Sequence, residues 1–150
     1  MAYKLSTRSQ GKLIGVDPEL TLVVFLAIKY TKIDFGVIEG VRTVTQQKAL
    51  VESGASQTMD SKHLKGRAVD LMAYIGSRGC WELNVYDDIA DAMKRAAIEI
   101  DVAVRWGAAW TVRDIREWNG TMEEAMNSYV DTRRGQGRRP FIDAPHFELM

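Results

Sequence analysis

Hydrophobic residues recur at two different spacings along the 150-residue chain, and these spacings separate predicted helices from predicted strands. Asp17-Pro18-Glu19 is typical of a helix start, with Asp as the N-cap and Pro at the first helical position. The apolar residues that follow recur at helical spacing and predict one buried stripe: Leu20, Val23, Val24, Ala27 and Ile28. A second helix is predicted from about Thr45 to Ser53, with Gly54 as its C-terminal stop.

Two further helices are predicted in the second half of the chain. Residues 80–88 are predicted to form a loop, after which Asp87 or Asp88 begins a helix whose apolar stripe is Ile89, Met93, Ala96, Ala97 and Ile100. The pattern Thr121-x-x-Glu124 is a capping box, which marks the start of the last helix. Its apolar face comprises Met122, Ala125, Met126, Tyr129 and Val130.

Four short segments are predicted to be extended: residues 33–38, 67–75, 102–106 and 141–149. Combined with the helices, they predict an α+β fold in which two or three helices pack against a small antiparallel sheet. The chain contains no repeat and no Pro- or Ser-rich linker. We therefore expect residues 1–150 to form a single domain.

The composition excludes several classes of protein. A hydrophobic fraction of 46% and a charged fraction of 27% are typical of a globular domain with a genuine core. The 20 Lys and Arg residues balance 20 Asp and Glu residues, which argues against a dedicated nucleic-acid binder. The single cysteine, Cys80, cannot form an internal disulfide, and we expect an inert, packed thiol made in a reducing compartment.

The beginning of the chain has no continuous apolar segment of the kind found in signal peptides. No apolar run elsewhere approaches the length of a membrane span. We therefore expect no export signal and no stable membrane insertion.

The chain contains only two histidines, and each lies near a carboxylate in the sequence. Asp70 follows His63 by seven residues, and Asp143 precedes His146 by three. A catalytic zinc site usually takes three protein ligands from His and Asp or Glu and leaves one position open. His63, Asp70 and His146 are the candidate ligands, which leaves Asp143 as a candidate base. On spacing alone, surface or packed histidines are the more common outcome.

The predicted local structure is compatible with such a site. Gly66 permits a turn between His63 and Asp70, so that Asp70 lies on a strand and His63 on the loop before it. Residues three apart do not share a face of a strand. Asp143 and His146 can therefore converge only if the backbone bends between them, and Pro145 is a suitable place for that bend.

A longer pattern around His63 gives a resemblance to a known family. Ser61-x-His63-x-x-Gly66-x-Ala68-x-Asp70 resembles the S-x-H-x-x-G-x-A-x-D signature of the D-Ala-D-Ala carboxypeptidase-like zinc peptidases. That family includes D,D-carboxypeptidases, D,D-dipeptidases and phage L-alanyl-D-glutamate peptidases, and the Hedgehog signalling domain has a similar site. The acidic residue three before His146 matches the second family element, and Asp143 in place of Glu resembles the phage endolysin branch.

The resemblance covers most of residues 5–110 and about the last ten, and it implies a role for each candidate residue. Zinc is held by three ligands: His63, Asp70 and His146. Asp143 acts as the base and Arg42 stabilises the oxyanion. Ser61 and Gln47 contact the substrate, although a serine in this position also commonly caps a local turn. Trp106 and Trp110 either wall the cleft or belong to the core.

The implied function is hydrolysis of an amide in the peptidoglycan stem peptide by a monomeric phage endolysin. The L-alanyl-D-glutamate bond is the expected target, and the enzyme stays in the host cytoplasm until it is released to the wall. Two alternatives remain open: a D-Ala-D-Ala carboxypeptidase or dipeptidase, and a non-catalytic zinc-containing binding domain. Another divalent metal is an alternative to zinc, although two imidazoles and a carboxylate suit zinc.

A cationic segment near the C-terminus has two interpretations. Four arginines are interspersed with flexible residues: Arg133, Arg134, Arg138 and Arg139. Such a segment is usually a solvated loop. The alternative hypothesis is that it attracts the enzyme to anionic wall or outer-membrane polymers, an effect that salt weakens.

Overall fold

The computed structural model describes residues 2–150, which form five α-helices and a five-stranded antiparallel sheet. The helices are α1 Thr7–Lys12, α2 Pro18–Tyr30, α3 Val44–Glu52, α4 Leu83–Ile100 and α5 Met122–Gly135. The strands are β1 Asp34–Glu39, β2 Ala68–Ile75, β3 Arg78–Cys80, β4 Val104–Trp106 and β5 His146–Leu149. Two 3-10 helices, Lys62–Lys65 and Ile115–Glu117, complete the regular structure of these residues. The α+β prediction is confirmed, with more helices than the two or three expected.

The sheet brings distant parts of the chain together. Its order is β1-β2-β5-β4, and β3 pairs with the far end of β2. Every pairing is antiparallel. In the β2–β5 pairing, Asp70 lies directly opposite His146. The C-terminal strand therefore lies in the interior of the sheet, beside the strand that follows the His63 segment.

The core confirms the predicted helical stripes. All five stripe residues of α2 are buried, and Asp17 caps the helix by accepting a hydrogen bond from the Glu19 N–H at 2.9 Å. Helix α2 packs on α4, which also contacts α5. Trp106 is completely buried and stacks on Phe147 with ring centroids 6.2 Å apart. The capping box of Thr121 and Glu124 is present at the start of α5.

Helix α4 begins earlier than the sequence predicted. The loop predicted over residues 80–88 is wrong, because Cys80 ends β3 and the helix begins at Leu83 rather than at Asp87 or Asp88. The cause is a tertiary contact of Tyr86, which is buried. Its hydroxyl donates to the Cys80 carbonyl at 2.9 Å and accepts from the Ala73 N–H at 3.2 Å. These bonds fasten the first turn of α4 to β2.

Two predictions about the last forty residues also need correction. Residues 141–149 are not extended throughout, because β5 begins only at His146. The bend expected near Pro145 is a turn in which the His146 N–H donates to the Asp143 carbonyl at 3.0 Å. Helix α5 continues to Gly135, so Arg133 and Arg134 belong to a helix instead of a loop. Across residues 2–150, none of the helices has the length and apolar character needed to cross a bilayer.

Replacing Gly66 with alanine is expected to destabilise the fold more than the same change at Gly54. Both glycines have a positive φ, +69° and +81°, which costs alanine about 1–2 kcal/mol. A Cβ at Gly66 would also lie 2.5 Å from the Gly15 carbonyl oxygen, whereas a Cβ at Gly54 meets nothing within 4 Å. We expect about 1–3 kcal/mol of additional destabilisation for Gly66→Ala. Urea unfolding of both variants measures the difference, and equal losses would contradict the role of the close contact.

Candidate active site

Strand pairing places the first two candidate ligands side by side. Asp70 in β2 and His146 in β5 are directly opposed, so their side chains lie on the same face of the sheet. The Asp70 Oδ1 atom lies 3.3 Å from His146 Nδ1. Because β2 and β5 are both interior strands, this pair stands on a rigid support.

The segment before β2 brings in the third candidate. His63 lies on the 3-10 helix Lys62–Lys65, which Ser61 caps by accepting from the His63 N–H at 3.2 Å. Gly66 ends this helix in the left-handed conformation. The Arg42 N–H donates to the His63 carbonyl at 3.0 Å and ties the segment to the end of β1. His63 Nε2 consequently lies 3.3 Å from Asp70 Oδ1 and 3.2 Å from His146 Nδ1.

Hydrogen bonds on the far side of each ring determine which nitrogen faces the other ligands. His63 Nδ1 lies 2.8 Å from the Gly40 carbonyl oxygen, which can only accept, so Nδ1 carries the proton. His146 Nε2 lies 2.8 Å from Glu148 Oε1 and donates to that carboxylate. In the neutral rings, the lone pairs of His63 Nε2 and His146 Nδ1 therefore point toward Asp70.

The separations among the three ligand atoms fit a small tetrahedral cation. Metal–ligand bonds of about 2.0–2.1 Å at tetrahedral angles place neighbouring ligand atoms about 3.3 Å apart. The observed separations among His63 Nε2, His146 Nδ1 and Asp70 Oδ1 are 3.2, 3.3 and 3.3 Å. Within residues 2–150, this is the one set of three such side chains close enough to hold an ion. These three side chains therefore have the donor atoms and the spacing to hold a metal ion.

The pKa shifts of the three groups show which of them holds a proton when no metal is bound. Burial disfavours the Asp70 carboxylate, but its interactions with His146 and His63 together outweigh burial and hold the pKa of Asp70 well below its usual range. Burial also disfavours charge on His146, yet Asp70 and Glu148 together raise its pKa to about 9. Without metal, the cluster therefore keeps a proton on His146, and a metal ion must displace it.

Asp143 adds a further carboxylate to the site. It lines the same cleft as the three ligands, just before the turn that leads into β5. Among residues 2–150, no hydrogen bond or ion pair engages its carboxylate oxygens. Burial and the charge of Asp70 raise the pKa of Asp143, against the opposing influence of His146, His63 and Arg42. A carboxylate with its oxygens free and a raised pKa is suited to accept a proton.

Arg42 also reaches the cleft, whereas Gln47 does not. The Arg42 guanidinium donates to Glu39 at 2.7 Å and to Gln47 at 2.6 Å, and lies 3.5 Å from Asp70 Oδ2. A guanidinium has five N–H donors. Two make these hydrogen bonds and a third is taken up by the ion pair of Nη2 with Asp70, which leaves two. Gln47 is completely buried and donates to Ser56 Oγ at 2.8 Å. Gln47 therefore positions Arg42 in this structure, and the substrate contact expected of it stays a prediction.

These residues surround one open cleft of about 570 Å³. Ser61 lines it but is largely buried, since its hydroxyl caps the His63 segment. Trp110 forms part of the wall, with its ring centroid 5.6 Å from that of His146. Trp106 belongs to the core and donates its indole N–H to the Ala144 carbonyl at 2.7 Å. Of the two tryptophans, Trp110 therefore lines the cleft and Trp106 belongs to the core.

The whole chain, residues 1–150, matches the family described as phage L-alanyl-D-glutamate peptidase. The chain belongs to this family. It is similar to the L-alanyl-D-glutamate peptidase of Escherichia phage T5, at 32% identity over 73% of this chain and 83% of that protein. The enzyme of the same name from Listeria phage A118 is 37% identical over 50% of this chain, although the match covers 26% of the relative's length.

A solved structure agrees with these sequence matches. The L-Ala D-Glu endopeptidase ChiX of Serratia marcescens matches with a TM-score of 0.74 and 33% identity, over 99% of this chain and 91% of that one. The predicted relationship to the phage peptidases is therefore confirmed. The expectation of a peptidoglycan peptidase of the endolysin type is confirmed at the level of the family.

Sequence reasoning missed Glu148, which lies two residues after His146 on the same strand. Glu148 is buried and accepts from His146 Nε2–H, and its other oxygen lies 3.4 Å from Lys62 Nζ. Burial disfavours its charge, but the hydrogen bond and charge of His146, together with Lys62, outweigh burial and lower the pKa of Glu148. The period-two spacing from His146 was the available signal. A carboxylate in this position orients a ligating histidine and fixes its tautomer.

Removing the Glu148 carboxylate is expected to weaken metal binding. Glu148→Ala leaves His146 free to rotate and to change its tautomer, which should cost about 10- to 100-fold in metal affinity. Glu148→Gln keeps an acceptor oxygen and should recover part of the loss. Competition with a chelator measures the affinity, and Glu117→Ala, an exposed glutamate that does not line the cleft, is the control. Unchanged affinity in Glu148→Ala would exclude this role.

Proposed function

We propose that this protein is a zinc-dependent peptidase that hydrolyses the L-alanyl-D-glutamate amide of the peptidoglycan stem peptide during phage lysis. The observation that carries the proposal is the convergence of His63 Nε2, Asp70 Oδ1 and His146 Nδ1 at tetrahedral spacing. These atoms lie in a cleft that also contains the Asp143 carboxylate, which has no hydrogen-bond or ion-pair partner among residues 2–150. The choice of bond follows the printed activities of the phage T5 and Serratia relatives.

Zinc is the metal that best suits this donor set. Two imidazoles and one carboxylate, with one position left open, are typical of catalytic zinc sites. When bound, the ion would supply Lewis-acid activation of a water molecule and of the scissile carbonyl. The Gly40 carbonyl and the Glu148 carboxylate keep both imidazoles oriented for this purpose.

The remaining steps belong to Asp143 and Arg42. Asp143 accepts a proton from the attacking water and later delivers it to the nitrogen of the departing D-glutamyl residue. Arg42 directs its two remaining N–H donors at the oxygen of the scissile carbonyl, where negative charge develops. Glu39 and Gln47 hold the guanidinium so that these donors are available without reorganisation.

The proposal includes the organisation and location of the enzyme. One core cluster extends from Leu5 to Leu149, which supports a single catalytic domain formed by residues 1–150. We propose that this domain acts as a monomer and remains in the host cytoplasm until it is released to the wall. A non-catalytic zinc domain would have no use for a free carboxylate at the position of Asp143.

Variants of Asp143 and His146 separate catalysis from metal binding. Asp143→Asn should retain one metal ion per chain and lose about 10²- to 10⁴-fold in hydrolysis of purified peptidoglycan, because the amide cannot accept the proton. His63→Ala and His146→Ala should lose both the metal and the activity. Metal analysis and turbidity assays provide the two measurements. Full activity in Asp143→Asn would refute the assigned mechanism.

Chelation and product analysis test the metal and the bond. Removal of the metal should abolish hydrolysis and lower the thermal midpoint, because the ion binds only the folded chain. Added Zn²⁺ should restore both properties. Digested peptidoglycan should show D-glutamate as the new amino terminus, whereas a terminal D-alanine product would identify a D,D-carboxypeptidase instead.

A further inference from the structure

A second, smaller pocket adjoins the catalytic cleft. Its volume is about 360 Å³, and it shares three lining residues with the cleft: Gln57, Trp110 and Phe141. The two spaces are therefore neighbouring parts of one depression, and an extended substrate seated in the cleft can reach both.

The second pocket has the opposite charge to the cleft. Its other lining residues are Tyr129 and three arginines, Arg133, Arg138 and Arg139, which together we name the arginine pocket. Among the residues that the structure describes, no aspartate or glutamate lines it. Within the described residues 2–150, none of these three guanidiniums forms an ion pair with a carboxylate. The neighbouring Arg134 does not line the pocket.

The arginine pocket is anchored to the catalytic segment. The buried Tyr129 hydroxyl donates to the Phe141 carbonyl and accepts from the Phe141 N–H, both at 3.0 Å. The Arg133 guanidinium lies over the Tyr129 ring at 5.4 Å, and the Arg138 N–H donates to the Arg133 carbonyl at 2.8 Å. Asp143 follows Phe141 by only two residues. The position of the arginines is therefore linked through Tyr129 to the segment that carries the proposed base.

The chemistry of the proposed substrate explains why a peptidase would have an acidic cleft beside a pocket lined by arginines. In an L-alanyl-D-glutamyl bond the glutamate nitrogen is acylated, and the peptide can continue through only one of its two carboxyl groups. At least one carboxyl group therefore remains on the leaving side of the bond. The cleft has an excess of acidic over cationic side chains, because Arg42 and Lys62 face five acidic residues, and this excess disfavours a further carboxylate there: Glu39, Asp60, Asp70, Asp143 and Glu148. The adjoining guanidiniums have the charge and the planar donor geometry that carboxylates prefer.

We propose that the arginine pocket is a subsite for carboxylates on the D-glutamyl side of the scissile bond. The proposal rests on the proposed function, because it assigns this pocket to the leaving half of that substrate. It gives Arg138 and Arg139 a role in selecting acidic over amidated stem peptides.

Two synthetic peptides and two charge-matched variants test the subsite. Both peptides contain the same L-Ala-D-Glu bond. On the D-glutamyl side of that bond, the acid peptide carries free carboxyl groups, and in the carboxamide peptide these groups are amidated. The wild-type enzyme should cleave the acid peptide with a kcat/KM roughly tenfold higher, the gain expected of charge-assisted hydrogen bonds. In R138Q/R139Q this preference should disappear through a higher KM for the acid peptide, with cleavage of the carboxamide peptide unchanged. The control R113Q/R134Q removes two exposed arginines outside the pocket and should keep the preference.

Several outcomes would overturn the proposal. A wild-type enzyme without preference, or a preference that survives in R138Q/R139Q, excludes the subsite. Equal losses on both peptides, or equal losses in the control, point to general attraction toward anionic polymers. If neither peptide is cleaved while peptidoglycan is also left intact, the proposed function itself fails. Calorimetric binding of both peptides to zinc-loaded Asp143→Asn, which requires no turnover, then decides whether the pocket distinguishes acid from amide.

Discussion

The mutual repulsion of three electron-rich atoms is the constraint on which this structure depends. Two imidazole lone pairs and a carboxylate oxygen face one another across 3.2–3.3 Å in a largely buried site. Such an arrangement is unfavourable unless a cation occupies the space between the atoms or a proton neutralises one of them. The tetrahedral spacing of the three atoms fits a cation between them. The raised pKa of His146 corresponds to the alternative, in which a proton neutralises one of the atoms. The fold must therefore supply enough rigidity to hold the three atoms together.

That rigidity comes from backbone contacts between segments far apart in sequence. Strand β5 is held between β2 and β4, so the C-terminal histidine cannot move independently of Asp70. The turn before it is fixed by the buried Trp106, whose indole donates to the Ala144 carbonyl. Gly107 lies so close to this turn that a Cβ would approach the Asp143 carbonyl oxygen to 2.3 Å. The proposed base and the second histidine ligand are thus positioned by one tightly packed turn.

The sequence predicted the parts of this arrangement that depend on local pattern. The α2 stripe, the capping box of α5 and the motif from Ser61 to Asp70 are short-range signals, and the structure places all three as expected. The predicted start of α4 was wrong because a long-range hydrogen bond from the Ala73 N–H to the Tyr86 hydroxyl extends the helix beyond its local signals. Glu148 was missed, and Gln47 was expected to contact the substrate, because the partners of both residues are known only after the strands and loops assemble. The arginine pocket likewise required the end of α5 to be placed beside the cleft.

Anomalous diffraction from crystals of the protein grown with Zn²⁺, recorded at the zinc absorption edge, tests the central claim most directly. We predict one strong peak per chain, within about 2.0–2.2 Å of His63 Nε2, Asp70 Oδ1 and His146 Nδ1. A peak bound instead through His63 Nδ1 or His146 Nε2, or no peak among these three side chains, would contradict the account.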